Sequence, residues 1–132
     1  MSAGEPQGIV LTCTVDGMID AVIADNDAIG VARHLGESFV RLVDAASITK
    51  ALNFLLELKA GRTVTGWEMN LVVGRHLHTL QFAGFHRDHT LYIIGAKQDS
   101  EVIRMYEDLS RMNNEQITSL RRVVKERAST TP

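Results

Sequence analysis

The chain has 132 residues, 45% of them hydrophobic and 23% charged, with a formal net charge of -2. That length holds one domain with a core of its own, and the slight negative charge argues against a general electrostatic grip on nucleic acid. No apolar run reaches the roughly 18 residues of a membrane span, residues 1–8 lack the basic start and apolar stretch of a signal peptide, and the lone cysteine, Cys13, leaves no internal disulfide framework and points to a reducing cytoplasm.

Residues 9–15 (IVLTCTV) read as a strand with Ile9, Leu11, Cys13 and Val15 on one face. Asp16-Gly17 and a second β-rich run, residues 18–24 (MIDAVIA), predict a hairpin with positive φ at both turn positions. Ile19, Ala21 and Ile23 are expected to share a face of the second strand. Residues 25–42 are punctuated by Asn26, Gly30 and Gly36, which favours short helices and turns. Asp44 is a plausible N-cap for a helix with Ile48, Ala51, Leu52, Leu55 and Leu56 at helical spacing, stopped by Gly61.

Three strands follow, with short connections that predict an antiparallel meander. In residues 66–74, Trp67, Met69, Leu71 and Val73 share a face. In residues 76–85, His78, Leu80 and Phe82 lie opposite Leu77 and Phe85. Residues 90–97 (TLYIIGAK) are apolar on both faces, as in a central strand covered on both sides. From Asp99 onward glycine is absent and the one proline is terminal. Ile103, Tyr106, Ser110, Asn113, Ile117, Leu120 and Val124 alternate spacings of three and four, which predicts a coiled-coil seam. Asp99, Glu101, Glu107, Asp108 and Glu115 precede Arg121, Arg122, Lys125 and Arg127, a polarity that suits the helix dipole. The expected organisation is a flexible N-terminus (1–8), a sensor domain (9–98), a signalling helix (99–127) and a disordered tail (128–132).

This order of elements resembles a PAS domain. Asp16-Gly17-Met18-Ile19 matches the family's strand-turn-strand opening, and Asn26 sits where PAS sequences often carry Asn. His34-Leu35-Gly36-Glu37-Ser38-Phe39 resembles the element before the connecting helix, and Trp67-Glu68-Met69-Asn70-Leu71 the third strand. Asn113-Asn114-Glu115-Gln116 with Leu120-Arg121 is similar to the linker start of a group of bacterial signal-transduction histidine kinases. The resemblance spans residues 9–122. It implies an α+β fold with a five-stranded antiparallel sheet of order 2-1-5-4-3, helices on one face, and a signal leaving through the C-terminal helix. It also implies a homodimer, a downstream effector domain in cis and a possible small-molecule ligand. The cofactor is left open: the helical Gly-x-Asn-Cys-Arg-type motif of flavin-adduct domains is absent, and residues 45–60 hold no histidine for haem.

Candidate pocket residues are Leu52, Leu55, Leu56, Met69, Leu71, His78, Leu80, Phe82 and Ile93, which can equally fill a core. No catalytic constellation or phosphate-cradling loop is evident, and the last histidine, His89, precedes the final helix, so the usual phosphoacceptor is missing. The expected function is sensing or dimerisation without catalysis. One alternative is a dimerisation module that binds no ligand. Another is a metal-dependent hydrolase using His76, His78 and His89. The latter lacks the further N/S ligands of a structural zinc site, and Leu80 replaces the third histidine of a His-x-His-x-His motif. Cys13, in line with Leu11 and Val15, reads as a small buried hydrophobe.

Overall fold

The computed structural model describes residues 7–111. β1 (Ile9–Thr14) and β2 (Ile19–Asp25) lead into three 3-10 helices (Val31–His34, Phe39–Leu42, Ala45–Ser47) and α1 (Ile48–Lys59). β3 (Val64–Val73), β4 (His76–Arg87), β5 (Thr90–Ala96) and α2 (Asp99–Arg111) complete the order. The strands form one antiparallel sheet, β2-β1-β5-β4-β3. The α+β class and this strand order are those expected.

The β1–β2 turn differs from the two-residue form. Thr14 O accepts from Gly17 N at 2.8 Å, and Thr14 N donates to Met18 O at 2.9 Å. Gly17 takes the left-handed conformation, φ 85°. This is a three-residue loop with its glycine at the last position. The register also slips twice along the pair, and each bulge breaks the alternation of faces. Ile19 and Val22 therefore enter the inner core, while Ile23 packs with the outer cluster. The expectation that Ile19, Ala21 and Ile23 share a face fails for this reason.

Asp44, expected to cap α1, instead caps the 3-10 helix Ala45–Ser47 that runs into it; the N-cap position of α1 itself is Ser47, which makes no side-chain cap bond. Asp44 Oδ1 accepts from Ser47 N at 3.0 Å, and Asp44 N donates to Asn70 O at 3.0 Å, tying the helix start to β3. Asn70 N donates to Ser47 Oγ at 3.2 Å. The buried face of α1 is Ala51, Phe54 and Leu58, spaced i, i+3, i+7. Fully buried Phe39, Phe54 and Phe82 meet with ring centroids 5.9 to 6.3 Å apart. Trp67 joins at 5.6 Å from Phe54. Glycines let these groups approach the sheet: a Cβ on Gly95 would lie 2.7 Å from Phe82 Cε1, and one on Gly84 2.8 Å from Leu58 Cδ1.

Helices cover both faces of the sheet, not one. The 3-10 helices and α1 pack on the inner face. α2 crosses the outer face of β4 and β5, burying Val102, Met105 and Leu109 against Val10, Ala83, Phe85, Tyr92, Ile94 and Ala96. The division at residue 98 thus separates elements that share a core. Gly8 is buried, its carbonyl accepts from Asn26 N, and Gln7 N donates to Glu101 Oε2 at 2.8 Å. The anchored body therefore begins before residue 9.

The β4–β5 turn has two residues, with Arg87 opposite Thr90. Asp88 and His89 both have positive φ, 51° and 61°, as a type I′ turn requires. A side chain in this region costs roughly 1–2 kcal/mol relative to glycine. His89→Gly is expected to raise stability by about 1 kcal/mol, read as a higher urea midpoint at unchanged slope. An unchanged or lower midpoint would contradict the turn assignment.

Candidate functional site

The predicted pocket residues divide into three groups. Met69, Leu71, Leu80, Phe82 and Ile93 are buried on the inner face. Leu55 packs at its margin, and His78 is half-buried on β4. Leu52 and Leu56 point outward, 48% and 62% exposed. The helix is rotated so that Phe54 and Leu58 take the inward positions, and a lining role for Leu52 and Leu56 is corrected accordingly. Where these elements meet, the Phe39, Phe54 and Phe82 rings occupy the interior.

The histidines of the hydrolase alternative lie at opposite ends of β4. The His76 and His78 rings are 6.5 Å apart, as are those of His86 and His89. Along this twelve-residue strand His78 and His86 are separated by roughly 26 Å at about 3.3 Å per residue. His76, His78 and His89 are therefore not brought together. Among the described residues no group of three or more His, Cys, Asp or Glu side chains could hold a metal.

One concavity lies on the outer face. A groove of about 530 Å³ runs between α2 and the outer surface of β3 and β4, lined by Thr65, Gly66, Ala83, Asp99, Val102, Ile103, Tyr106 and Glu107. Sequence spacing singles out Ile103 and Tyr106 as seam residues but gives no hint of the sheet surface beside them. Ile103 is 56% exposed. Tyr106 is half-buried, edge-on to Phe85 with centroids 5.5 Å apart. Phe85 in turn stacks on Tyr92 at 4.9 Å, and the Arg87 guanidinium sits 5.2 Å over the Phe85 ring. Such a cluster combines apolar burial with ring-edge and cation–π attraction. Ser110 lies within α2, whereas Asn113, Ile117, Leu120 and Val124 lie outside the described residues.

Two polar features escape sequence spacing. Asp25 Oδ1 accepts from Ile29 N at 2.7 Å, and Oδ2 accepts from Gly30 N at 2.7 Å and Val31 N at 3.3 Å. The carboxylate thus organises the turn into the first 3-10 helix, beside the Asn26 that the resemblance marks. Thr12 is fully buried on β1, and its Oγ1 has no hydrogen-bond partner among the described residues. A hydroxyl left in this state costs about 1–3 kcal/mol. Compared with known proteins, the chain matches no family model and no curated protein. No helix among the described residues is long and apolar enough to cross a membrane.

Cys13 is fully buried in β1. Burial first, and the negative charge of Asp20 second, push its thiol above the ordinary value of 9.0. It therefore stays a protonated, unreactive thiol. Below pH 9.0 the native and unfolded chains both keep this proton. Above it the unfolded chain loses a proton that the native chain retains, so stability falls by about 1.4 kcal/mol per pH unit. Urea titrations between pH 10 and pH 11 are expected to show this slope relative to Cys13→Ala, and parallel curves for the two proteins would contradict it.

Proposed function

We propose that this chain is a regulatory domain of the PAS type, without catalysis of its own. It carries a partner-borne or small-molecule signal through α2 to an output domain in the same polypeptide, a histidine kinase in two-component signalling. It works as a homodimer in the cytoplasm. The observation that carries this reading is the position of α2. The helix leaves the sheet directly after β5 and lies on the outer face of β4 and β5. A change in the sheet therefore moves the segment by which the chain departs, the kind of coupling that packed elements with discrete arrangements provide. The strand order adds support, being the one that the resemblance implies.

The aromatic filling of the inner face favours a partner over an interior ligand as the source of the signal. Packed rings leave little space for a second molecule. Ile103, exposed beside Tyr106, offers the start of a dimer contact. Its pairing with a second copy would continue along the spacing of Asn113, Ile117, Leu120 and Val124. The hydrolase alternative gains nothing from histidines separated by the length of β4.

Sedimentation equilibrium of the 132-residue chain tests the dimer. Ile103→Arg is expected to weaken self-association by at least about tenfold, since an aliphatic seam position is replaced by a charge. Leu56→Arg, on α1 at the opposite face, is expected to leave it unchanged. A wild-type monomer at all concentrations, or equal effects of the two substitutions, would overturn the reading.

A further inference from the structure

We propose that the groove beside α2 is a binding site for a linear aliphatic polyamine, a chain cationic at both ends, laid along the helix between Asp99 and Glu107. The groove encloses about 530 Å³, within the range of about 300 to 1,000 Å³ that small-molecule sites occupy. Thr65, Gly66 and Ala83 of the sheet form one side of it, and Val102, Ile103 and Tyr106 of α2 the other. Small residues against longer helix side chains leave a trough with a mostly apolar lining.

The charges of the lining select the ligand. Among the described residues that line the groove, the charged ones are Asp99 and Glu107, both acidic. They stand eight positions apart on α2, which at about 1.5 Å per residue sets their places on the helix about 12 Å from one another. Val102, Ile103 and Tyr106 lie between them. The order along the helix is therefore carboxylate, apolar stretch with an aromatic ring, carboxylate. Glu107 is paired with Arg111 at 3.6 Å, and both side chains are more than half exposed, so the contact is easily exchanged for another cation. Other ligand classes fit less well. An anion meets two like charges. A metal ion lacks donors, since among the described residues no group of three or more His, Cys, Asp or Glu side chains could hold one. A wholly apolar molecule strips water from the carboxylates and replaces it with nothing. An aliphatic chain with an ammonium at each end answers every part of the lining. Its ends reach the carboxylates, its methylenes cover the apolar stretch, and an inner ammonium meets the Tyr106 ring, a cation–π partner.

Such a ligand touches both α2 and the sheet, and so holds the two together. Its stem lies on the sheet side of Ile103, whose side chain is 56% exposed and keeps an outward surface for the dimer contact. The binding site stands on the groove and its charges; that its occupancy is passed on through α2 rests on the function proposed above. Binding is read without self-association, so either can fail while the other stands.

Amide chemical-shift titration of the 132-residue protein at low salt tests this, with diaminooctane as the probe. Extended, its two nitrogens span a distance close to that between the two acid positions. Shifts are expected at Gly66, Ala83 and Tyr106, saturating together at millimolar concentration or below. Each buried methylene is worth up to about fourfold in affinity, and about twofold in a groove open to solvent on one side. Diaminobutane, four methylenes shorter, is therefore expected to bind at least about tenfold more weakly. Octylamine, with one charged end, is expected to bind about threefold more weakly than diaminooctane. In Asp99→Asn or Glu107→Gln that preference for the diamine disappears. Both substitutions keep the side-chain shape, so the loss is read on folded protein. Equal binding of octylamine and diaminooctane by the wild type, shifts confined to residues away from the groove, or no shifts at millimolar probe would overturn the proposal.

Discussion

β5 meets water on neither side, and the rest of the fold is arranged to keep it so. All seven of its residues are buried. Leu91 and Ile93 face the inner core, and Tyr92, Ile94 and Ala96 the outer one. A strand of this kind needs a strand on each edge and a layer on each face. β1 and β4 supply the edges, which places the N-terminal hairpin beside the C-terminal meander. The inner layer is the α1 region. The outer layer is α2, so the last described helix belongs to the core as much as to the chain's exit.

Much of this was legible in the sequence, and what was not has a specific cause. The two-faced apolarity of residues 90–96 announced a central strand covered on both sides. That same pattern already required an outer layer, which a purely projecting final helix would not supply. α2 carries two overlapping series, Val102-Met105-Leu109 and Ile103-Tyr106-Ser110, both at spacings of three and four. They sit about 100° apart on a helix of 3.6 residues per turn. Spacing alone cannot say which series meets the sheet. α1 poses the same problem more sharply, because apolar residues nearly encircle it. Phe54 and Leu58 win the inward positions through the Phe39 and Phe82 rings and the bare backbone of Gly84. Those contacts come from distant parts of the chain. Ile48, Leu52 and Leu56 are left as an exposed stripe.

The candidate site shifted from one face of the sheet to the other for related reasons. The inner face looked like a pocket because its residues are apolar and convergent, but large aromatic rings fill the interior they enclose. The outer groove is built from small sheet residues, Thr65, Gly66 and Ala83, beside a helix. Small residues carry almost no sequence signal for concavity. The histidine pairs were conspicuous in sequence and are dispersed in space, since the length of β4 separates one pair from the other.

The account rests on α2 being docked on the outer face of β4 and β5 in the folded chain. The most direct measurement is a nuclear Overhauser experiment on the 132-residue protein, observing the Met105 methyl group. Contacts from it to Tyr92 or Ile94, together with slow amide exchange at Val102 and Leu109, are the predicted result. A Met105 methyl with contacts only inside its own helix, and α2 amides exchanging as freely as those of an isolated helix, would contradict it.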